Sequence, residues 1–448
     1  MRRRPAPRTA VRALAAASVL VGAGALLAPA GDSYTLTGWN LNVDSTHVRV
    51  FNNFADAETN DDTAPQSQFP GFDGAVRAIW KSAVEWGTST HGTGDGDPTQ
   101  PGDLGSGGSN FTPTFQGDAL GVGGLNDNTH SAISSLGGGV LAITESGGNG
   151  WRIRYNDQYL WDDDSAGPAA GTIDLQSIAT HEYGHALGLG HTTMSGCVMS
   201  PSSTGLLARD LCPDDQAGVQ AIYGAATAGK PVITAVLVDA GGAVSIHGES
   251  FAVVGNEVWL TKASPGGAFP VKLTGVTATE GGTRIDVALP ATAGPGDVLV
   301  KAPGTGLASL SNAWPIDGPG GVSCGAVPYG VGLGGANTAE LFTSATPAVG
   351  STFPLDLASF AVDGPALTLI ASERADLPLL GGTVLIDPTK ILATLTTTIT
   401  GGSGVQPVPI PASPSLAGAR VFAQAGQADG GAPFGVALSN GVEVVVCP

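Results

Sequence analysis

Hydrophobic positions follow two periodicities along the chain. From 72 to 86 and from 174 to 189, apolar side chains recur at helical spacing, which predicts two helices. A third helical pattern runs from Asp214 to Gly224. Elsewhere, short runs of β-branched and aromatic residues lie between Gly- and Pro-rich segments, and they predict strands joined by turns. The pattern therefore predicts a mixed α and β region followed by regions built mainly from strands.

The predicted strands are short and occur along the whole chain. They lie at 34–36, 48–51, 140–144, 151–155, 232–238, 243–247, 258–261, 284–289, 298–301, 383–386, 392–399, 418–424 and 442–446. Turn-forming and acidic residues dominate the segment 88–117 and the run 162–164, so we interpret the first as a surface loop and the second as a solvated turn. His47 has no motif around it and is predicted to be exposed.

Length and composition predict several domains. A chain of 448 residues exceeds what one hydrophobic core usually organises, and 68 Gly with 31 Pro favour turns and short strands. In order, the predicted segments are a leader at 1–30, an α+β domain at 31–224, a linker at 225–230, a β-sandwich at 231–317 and a C-terminal β-rich domain at 318–448.

The first 30 residues have the features of a secretory signal peptide. Five arginines precede an apolar run from Ala13 to Leu27, and Ala28-Pro29-Ala30 has the small residues of a cleavage site. The apolar run is too short for a strong membrane anchor. We therefore predict secretion, with cleavage after Ala30, and no membrane span. Without the leader, 14 basic face 38 acidic residues, a formal charge of −24, which disfavours nucleic acid as a partner.

Four cysteines in an exported chain predict disulfides. Pairing Cys197 with Cys212 and Cys324 with Cys447 gives one bridge within each of two domains, whereas the other pairings would cross a domain boundary. The many carboxylates leave structural calcium open as a second cofactor.

Residues 181–191 read HEYGHALGLGH and carry the densest chemistry in the chain. His181 and His185 are four residues apart and project from one face of a helix. Gly188 can adopt the left-handed conformation that ends a helix, so the chain can turn and bring His191 to the same point. Three imidazoles beside the carboxylate of Glu182 predict a catalytic zinc site with an open position.

This HExxHxxGxxH pattern resembles the metzincin metallopeptidases, and its surroundings resemble their matrixin branch. Met199 follows the third histidine by eight residues, where these enzymes have a methionine-containing turn beneath the metal, and the helix after Asp214 resembles their closing helix. The resemblance implies a twisted sheet with three long helices. It also implies that an edge strand binds the substrate peptide; the strands at 140–144 and 151–155 are both candidates.

The region 231–317 resembles an IPT/TIG module, an immunoglobulin-like β-sandwich. The resemblance rests on four short segments, which are 248–251, 289–290, 296–300 and 311–312. The resemblance implies one β-sandwich in this region, and the strand pattern of 318–448 predicts a second β-sandwich-like domain after it. These domains are predicted to bind an extracellular or cell-surface ligand or to act as spacers.

The predicted reaction is hydrolysis of peptide bonds in a protein or peptide substrate. Zinc lowers the pKa of bound water to about 7, and Glu182 would take the proton from that water and pass it to the leaving amine. The alternative is an adhesion or binding protein whose β domains have the main role. The intact Glu182 favours the zinc endopeptidase, because a structural zinc site has no need of a base.

Overall fold

The computed structural model describes residues 26–27 as backbone and residues 33–94, 100, 102–134, 136–202, 205–266, 269–333, 339–379 and 381–448. The predicted signal peptide lies almost entirely outside these residues. The described chain forms two compact units. The first contains residues up to Val232 with Glu257–Thr274 and Thr292–Pro315, and the second contains Ile233–Asn256, Gly275–Ala291 and Ile316–Pro448. The predicted domain boundaries stay predictions.

A five-stranded sheet forms the centre of the first unit. Its strands are β1 (His47–Phe51), β2 (Thr114–Asp118), β3 (Thr129–Ile133), β4 (Ala142–Ser146) and β5 (Trp151–Asn156). Their order is β2-β1-β3-β5-β4, and only the β4–β5 pair is antiparallel. This order makes β4 an edge strand and places β5 inside the sheet.

Three α-helices accompany this sheet: α1 (Gly74–Glu85), α2 (Leu175–Ala186) and α3 (Pro213–Tyr223). Asp174 caps α2 by accepting a hydrogen bond from the Ser177 amide at 3.1 Å, as its position before the apolar pattern predicts. Gly188 has a φ of +104° just after the helix, which confirms the predicted turn. Pro213 occupies the first turn of α3, where its missing amide hydrogen costs nothing.

The core of the first unit lies between α1, α2 and the sheet, and large aromatic side chains fill it. Trp80, Trp86, Trp151, Trp161, Tyr155 and Tyr183 are all fully buried. A second sheet in this unit has the order Val271–Val276, Asn256–Lys262, Ala293–Lys301, Trp314–Ile316. Short two-residue strands at Leu26–Leu27, Thr35–Leu36, Trp161–Asp162, Ile173–Asp174 and Leu189–Gly190 complete the unit.

Three predictions of exposed structure are wrong. The segment 88–117 contains β2 and buries Leu104 and Phe111 completely, because its few apolar residues face the core despite the surrounding Gly and Pro. Asp163 is only 5% exposed. His47 is 6% exposed, since it opens β1 and its ring packs against Phe269.

The second unit consists of β-sheets. One sheet has the order Val232–Val238, Ala243–Glu249, Arg284–Ala288, Ala278–Thr279. A five-stranded sheet has the order Gly325–Tyr329, Val436–Val445, Arg420–Ala428, Gly364–Ala371, Ile391–Ile399, and a three-stranded sheet has the order Glu340–Phe342, Thr352–Ala358, Gly404–Pro409. One apolar cluster contains side chains from both of these sheets, and a hairpin of Arg374–Leu379 with Gly382–Ile386 completes the unit.

Both predicted disulfides form, Cys197 with Cys212 and Cys324 with Cys447. Each bridge lies within one unit. No helix among the described residues is long and apolar enough to cross a membrane.

Candidate metal centre and active site

Helix α2 and the turn after it bring three imidazoles together. His181 and His185 lie one turn apart, and their Nε2 atoms are 3.2 Å from each other. The left-handed Gly188 then reverses the chain and returns His191 to the same place. One ring nitrogen from each histidine lies within 4.8 Å of the other two. The structure therefore brings together the three residues that the spacing predicts as metal ligands.

The hydrogen bonds of the first two histidines orient their rings. Nδ1 of His181 donates to the Val198 carbonyl at 2.7 Å, and Nδ1 of His185 donates to the Leu189 carbonyl at 2.8 Å. These bonds place the hydrogen on Nδ1 and leave the Nε2 lone pairs pointing at the shared centre. Nε2 of His191 is buried and has no hydrogen-bond partner in the part of the chain that the structure describes. Two nitrogens with free lone pairs, together with the buried ring of His191, match the donor types of a zinc site.

Burial also keeps these imidazoles neutral. It lowers the pKa of His181 to about 4, against a smaller opposing effect of the Val198 carbonyl. Burial, then the neighbouring His181, lowers the pKa of His185 well below its ordinary value, and burial lowers that of His191. Neutral imidazole is the form that binds a metal.

Glu182 lies beside the first ligand and is fully buried. Burial raises the pKa of its carboxyl to about 7, and a hydrogen bond from Thr144 opposes that rise. Thr144 Oγ1 is 2.7 Å from Oε2, whereas Oε1 has no partner among the described residues. A carboxyl with a pKa near neutrality and one free oxygen suits general acid–base chemistry.

Met199 lies directly against the active-site helix. A Cβ added to Gly184 would overlap Met199 Sδ and would lie 2.8 Å from Trp86 Cζ2. Only a glycine in the middle of HEYGH therefore allows the methionine to approach the helix so closely. The Thr192 amide donates to the Met199 carbonyl at 2.9 Å, which connects this turn to the residue after His191.

Asp215 holds the turn that contains Met199. Its carboxylate accepts hydrogen bonds from the amides of Val198 and Met199 at 2.8 and 3.1 Å, and from the Cys212 amide at 3.1 Å. The sulfurs of Cys197 and Cys212 lie close to this carboxylate but are bonded to each other, so they are not metal ligands. The disulfide and the carboxylate together connect the turn to the start of α3.

The other four histidines lie outside this centre. His91 pairs with Asp297, His130 with the Tyr155 hydroxyl, and His247 with Glu443. His47 is buried elsewhere, at the start of β1. His247 belongs to a buried ion network in which Arg284 and Arg420 also pair with Glu443, so its role there is structural. In that network burial raises the pKa of Glu443, but its hydrogen bonds and ion pairs outweigh burial and lower it overall.

Sequence reasoning missed three residues at this site. Thr144 was interpreted only as a strand residue, Asp215 only as part of a helix, and Gly184 not at all. Asp215 lies in the first turn of a helix that begins directly after Cys212, and an acidic residue in that position could have indicated a hydrogen-bonding role. No sequence signal indicates that Thr144 faces Glu182.

Comparison with known proteins agrees with this geometry. Residues 127–224 match the Matrixin family model. The chain is 43% identical over 89 residues to Metalloendoproteinase 1-MMP of Arabidopsis thaliana, which covers 19% of this chain and 24% of that protein. It is 37% identical over 128 residues to Matrix metalloproteinase-19 of Homo sapiens, covering 26% and 24%.

A third relative, Stromelysin-3 of Mus musculus, is 42% identical over 72 residues, which covers 16% of this chain and 14% of that protein. The chain thus matches about a quarter or less of the length of these relatives. The part matched by the family model contains the three convergent histidines and α3, so this region of the first unit is similar to matrixins.

Proposed function

We propose that this chain is a secreted zinc-dependent endopeptidase that hydrolyses peptide bonds in protein substrates. The observation that carries the proposal is the convergence of His181, His185 and His191 beside Glu182, whose Oε1 has no partner within the described ranges. The match of the surrounding residues to the Matrixin model and to metalloendoproteinases supports it.

In this proposal, the three neutral imidazoles would hold zinc, His181 and His185 through their Nε2 atoms. When bound, zinc lowers the pKa of a coordinated water to about 7 and polarises the carbonyl of the scissile bond. Glu182 would accept the proton from the attacking water at Oε1 and deliver it to the leaving amine nitrogen. Met199 would support the ligand helix from below, since its sulfur lies against Gly184.

The substrate would bind along β4. Of the two strands that were candidates, β5 has neighbours on both sides and β4 has one. The free edge of β4 offers backbone amides and carbonyls that an extended peptide can pair with, as in β-augmentation. Substrate specificity would depend on the segment from Met199 to about Leu207, of which residues 203–204 lie outside the described residues.

The remaining predictions concern secretion, calcium and the β domains. Secretion would be supported by a mature N-terminus at Gly31 in protein collected from the culture medium. Calcium stays a prediction from composition. Oδ2 of Asp162 accepts hydrogen bonds from the Ala169 amide and the Thr172 hydroxyl at 2.7 and 3.1 Å, so protein groups already contact this carboxylate oxygen. Ligand binding by the β domains also stays a prediction.

Casein digestion by the purified, zinc-loaded chain tests the proposed activity. We expect digestion that a chelator stops and added zinc restores. The variant Glu182→Gln keeps the shape of the side chain but removes the base, so it should bind zinc and lose at least about a hundredfold in kcat. Full activity of Glu182→Gln, or digestion unaffected by the chelator, would overturn the proposal.

A further inference from the structure

A threonine on the edge strand reaches the predicted catalytic base. Thr144 is the central residue of β4 and is 4% exposed, because its side chain faces α2. Its Oγ1 lies 2.7 Å from Oε2 of Glu182 and 2.7 Å from the backbone carbonyl of the same residue. One hydroxyl thus contacts both ends of Glu182.

These contacts fix the Glu182 carboxyl in one orientation. A threonine hydroxyl has one hydrogen and can also accept, so it can serve Oε2 in either charge state of Glu182. When the carboxylate is ionised, the hydroxyl donates to Oε2. When Glu182 holds a proton on Oε2, the hydroxyl can accept from it and donate to the backbone carbonyl. In both states Oε1 remains without a partner among the described side chains and backbone groups.

We propose that Thr144 is a positioning residue, which holds Oε2 so that Oε1 faces the attacking water. This inference rests on the proposed function. A β-branched residue in a strand needs no such role, because Thr fits strands by its shape alone. Val has the same branched shape, however, so shape alone does not explain why Thr144 places a hydroxyl within hydrogen-bond distance of the Glu182 carboxyl.

The placement on β4 predicts which kinetic parameter changes. Successive side chains of a strand point to opposite faces, so Thr144 faces α2 while Ile143 and Glu145 face away. Glu145 is occupied by Arg152 and Arg154 of β5. Replacing the Thr144 hydroxyl therefore leaves the free backbone edge of β4 intact. Substrate binding, and with it KM, should be unchanged. The Glu182 carboxyl should be less well oriented, so kcat should fall.

The test compares variants of the zinc-loaded full chain on a fluorogenic peptide. Thr144→Val keeps the branched shape without the hydroxyl, and we expect kcat to fall about 10- to 100-fold with KM within about twofold, since small misplacement of a catalytic group costs rates of this order. Thr144→Ser keeps the hydroxyl and should recover most of kcat. Thr59→Val is the matched control, because Thr59 is fully buried and its hydroxyl has no hydrogen-bond partner among the residues that the structure describes.

Two results would overturn the positioning role: Thr144→Val with kcat close to that of Thr59→Val, or Thr144→Ser as impaired as Thr144→Val. If Thr144→Val fails to fold or to bind zinc, Thr144→Ala removes the hydroxyl without adding bulk and is judged by the same criteria. In the Glu182→Gln background, Thr144→Val should cause no further loss; an additional tenfold loss would show that Thr144 acts independently of Glu182. An unmodified chain without chelator-sensitive activity would instead overturn the proposed function itself.

Discussion

Asp297 is a sharp test of how the first unit is held together. It lies on the strand Ala293–Lys301, has no exposed surface and accepts hydrogen bonds at both carboxylate oxygens. Nε2 of His91 is 2.7 Å from Oδ1, and Nε1 of Trp80 donates to Oδ2 at 3.1 Å. The Asp297 amide donates to Thr261 Oγ1, which donates in turn to the Phe115 carbonyl of β2. These bonds connect a strand beyond residue 231 to α1 and the central sheet.

The variant Asp297→Ala leaves the Trp80 and His91 donors buried without an acceptor. Each lost hydrogen bond to a charged group costs about 1.5–3 kcal/mol, so we expect the free energy of unfolding to fall by about 3–5 kcal/mol. Asp297→Asn retains one acceptor oxygen and should lose about 1–3 kcal/mol. The proposed peptidase activity, measured at low temperature, should change little, because His181, His185 and His191 lie on α2 and in the turn after it, away from the Asp297 strand.

Urea unfolding followed by tryptophan fluorescence measures these changes, since Trp80 itself reports on the site. Asp44→Asn is the control: its side chain is 69% exposed and 3.8 Å from Lys272, so it should change stability by less than about 1 kcal/mol. If Asp297→Ala is no less stable than Asp44→Asn, the buried cluster does not hold the unit together. A chain ended after Gly224 lacks Asp297, and we expect it to unfold at a lower urea concentration than the full chain. Unfolding of both chains at the same urea concentration would contradict the same reasoning.

Three further predictions concern the site and its surroundings. Gly184→Ala places a methyl group against Met199 and should lower stability by about 1–3 kcal/mol and weaken zinc binding in a titration. Replacing Cys197 and Cys212 by Ser removes a disulfide between cysteines 15 residues apart, and the free energy of unfolding measured in urea should fall by about 3 kcal/mol. Unchanged stability would argue that Asp215 alone holds the turn. Burial lowers the pKa of His130 from 6.5 to about 3. The contribution of neutral His130 to the free energy of unfolding is therefore complete above pH 6.5 and is lost as the pH falls towards 3. His130→Asn should reduce that acid-induced loss in zinc-free protein, and an unchanged pH dependence would contradict the assignment.

The metal centre could be predicted from the sequence because its geometry is local. His181 and His185 share a helix face by spacing alone, and Gly188 has the positive φ that the turn to His191 requires. The same is true of the Asp174 cap, whose hydrogen bond spans three residues. Predicted helix and strand positions in this part agree with the structure to within a few residues.

Burial was harder to predict, because local composition does not show which face of a segment meets the core. The segment 88–117 has the Gly and Pro content of a loop, yet His91 and Leu104 are buried in it and Thr114–Asp118 joins the central sheet. The sheet supplies hydrogen bonds to β2 that no property of its own sequence, TFQGD, indicates. Tertiary pairing decides the conformation of such a segment.

The same reasoning explains why the most informative partners escaped prediction. Thr144 and Glu182 are separated by 38 residues, and His91 and Asp297 by 206. Thr144 stands in the run Val-Leu-Ala-Ile-Thr, where its branched shape alone accounts for its presence in a strand. Most buried hydroxyls nevertheless find a hydrogen-bond partner. Which partner it finds depends on the neighbour across the fold, and here that neighbour is the carboxyl beside the metal ligands. The effect of Thr144→Val on kcat therefore depends on a contact that only the folded chain creates.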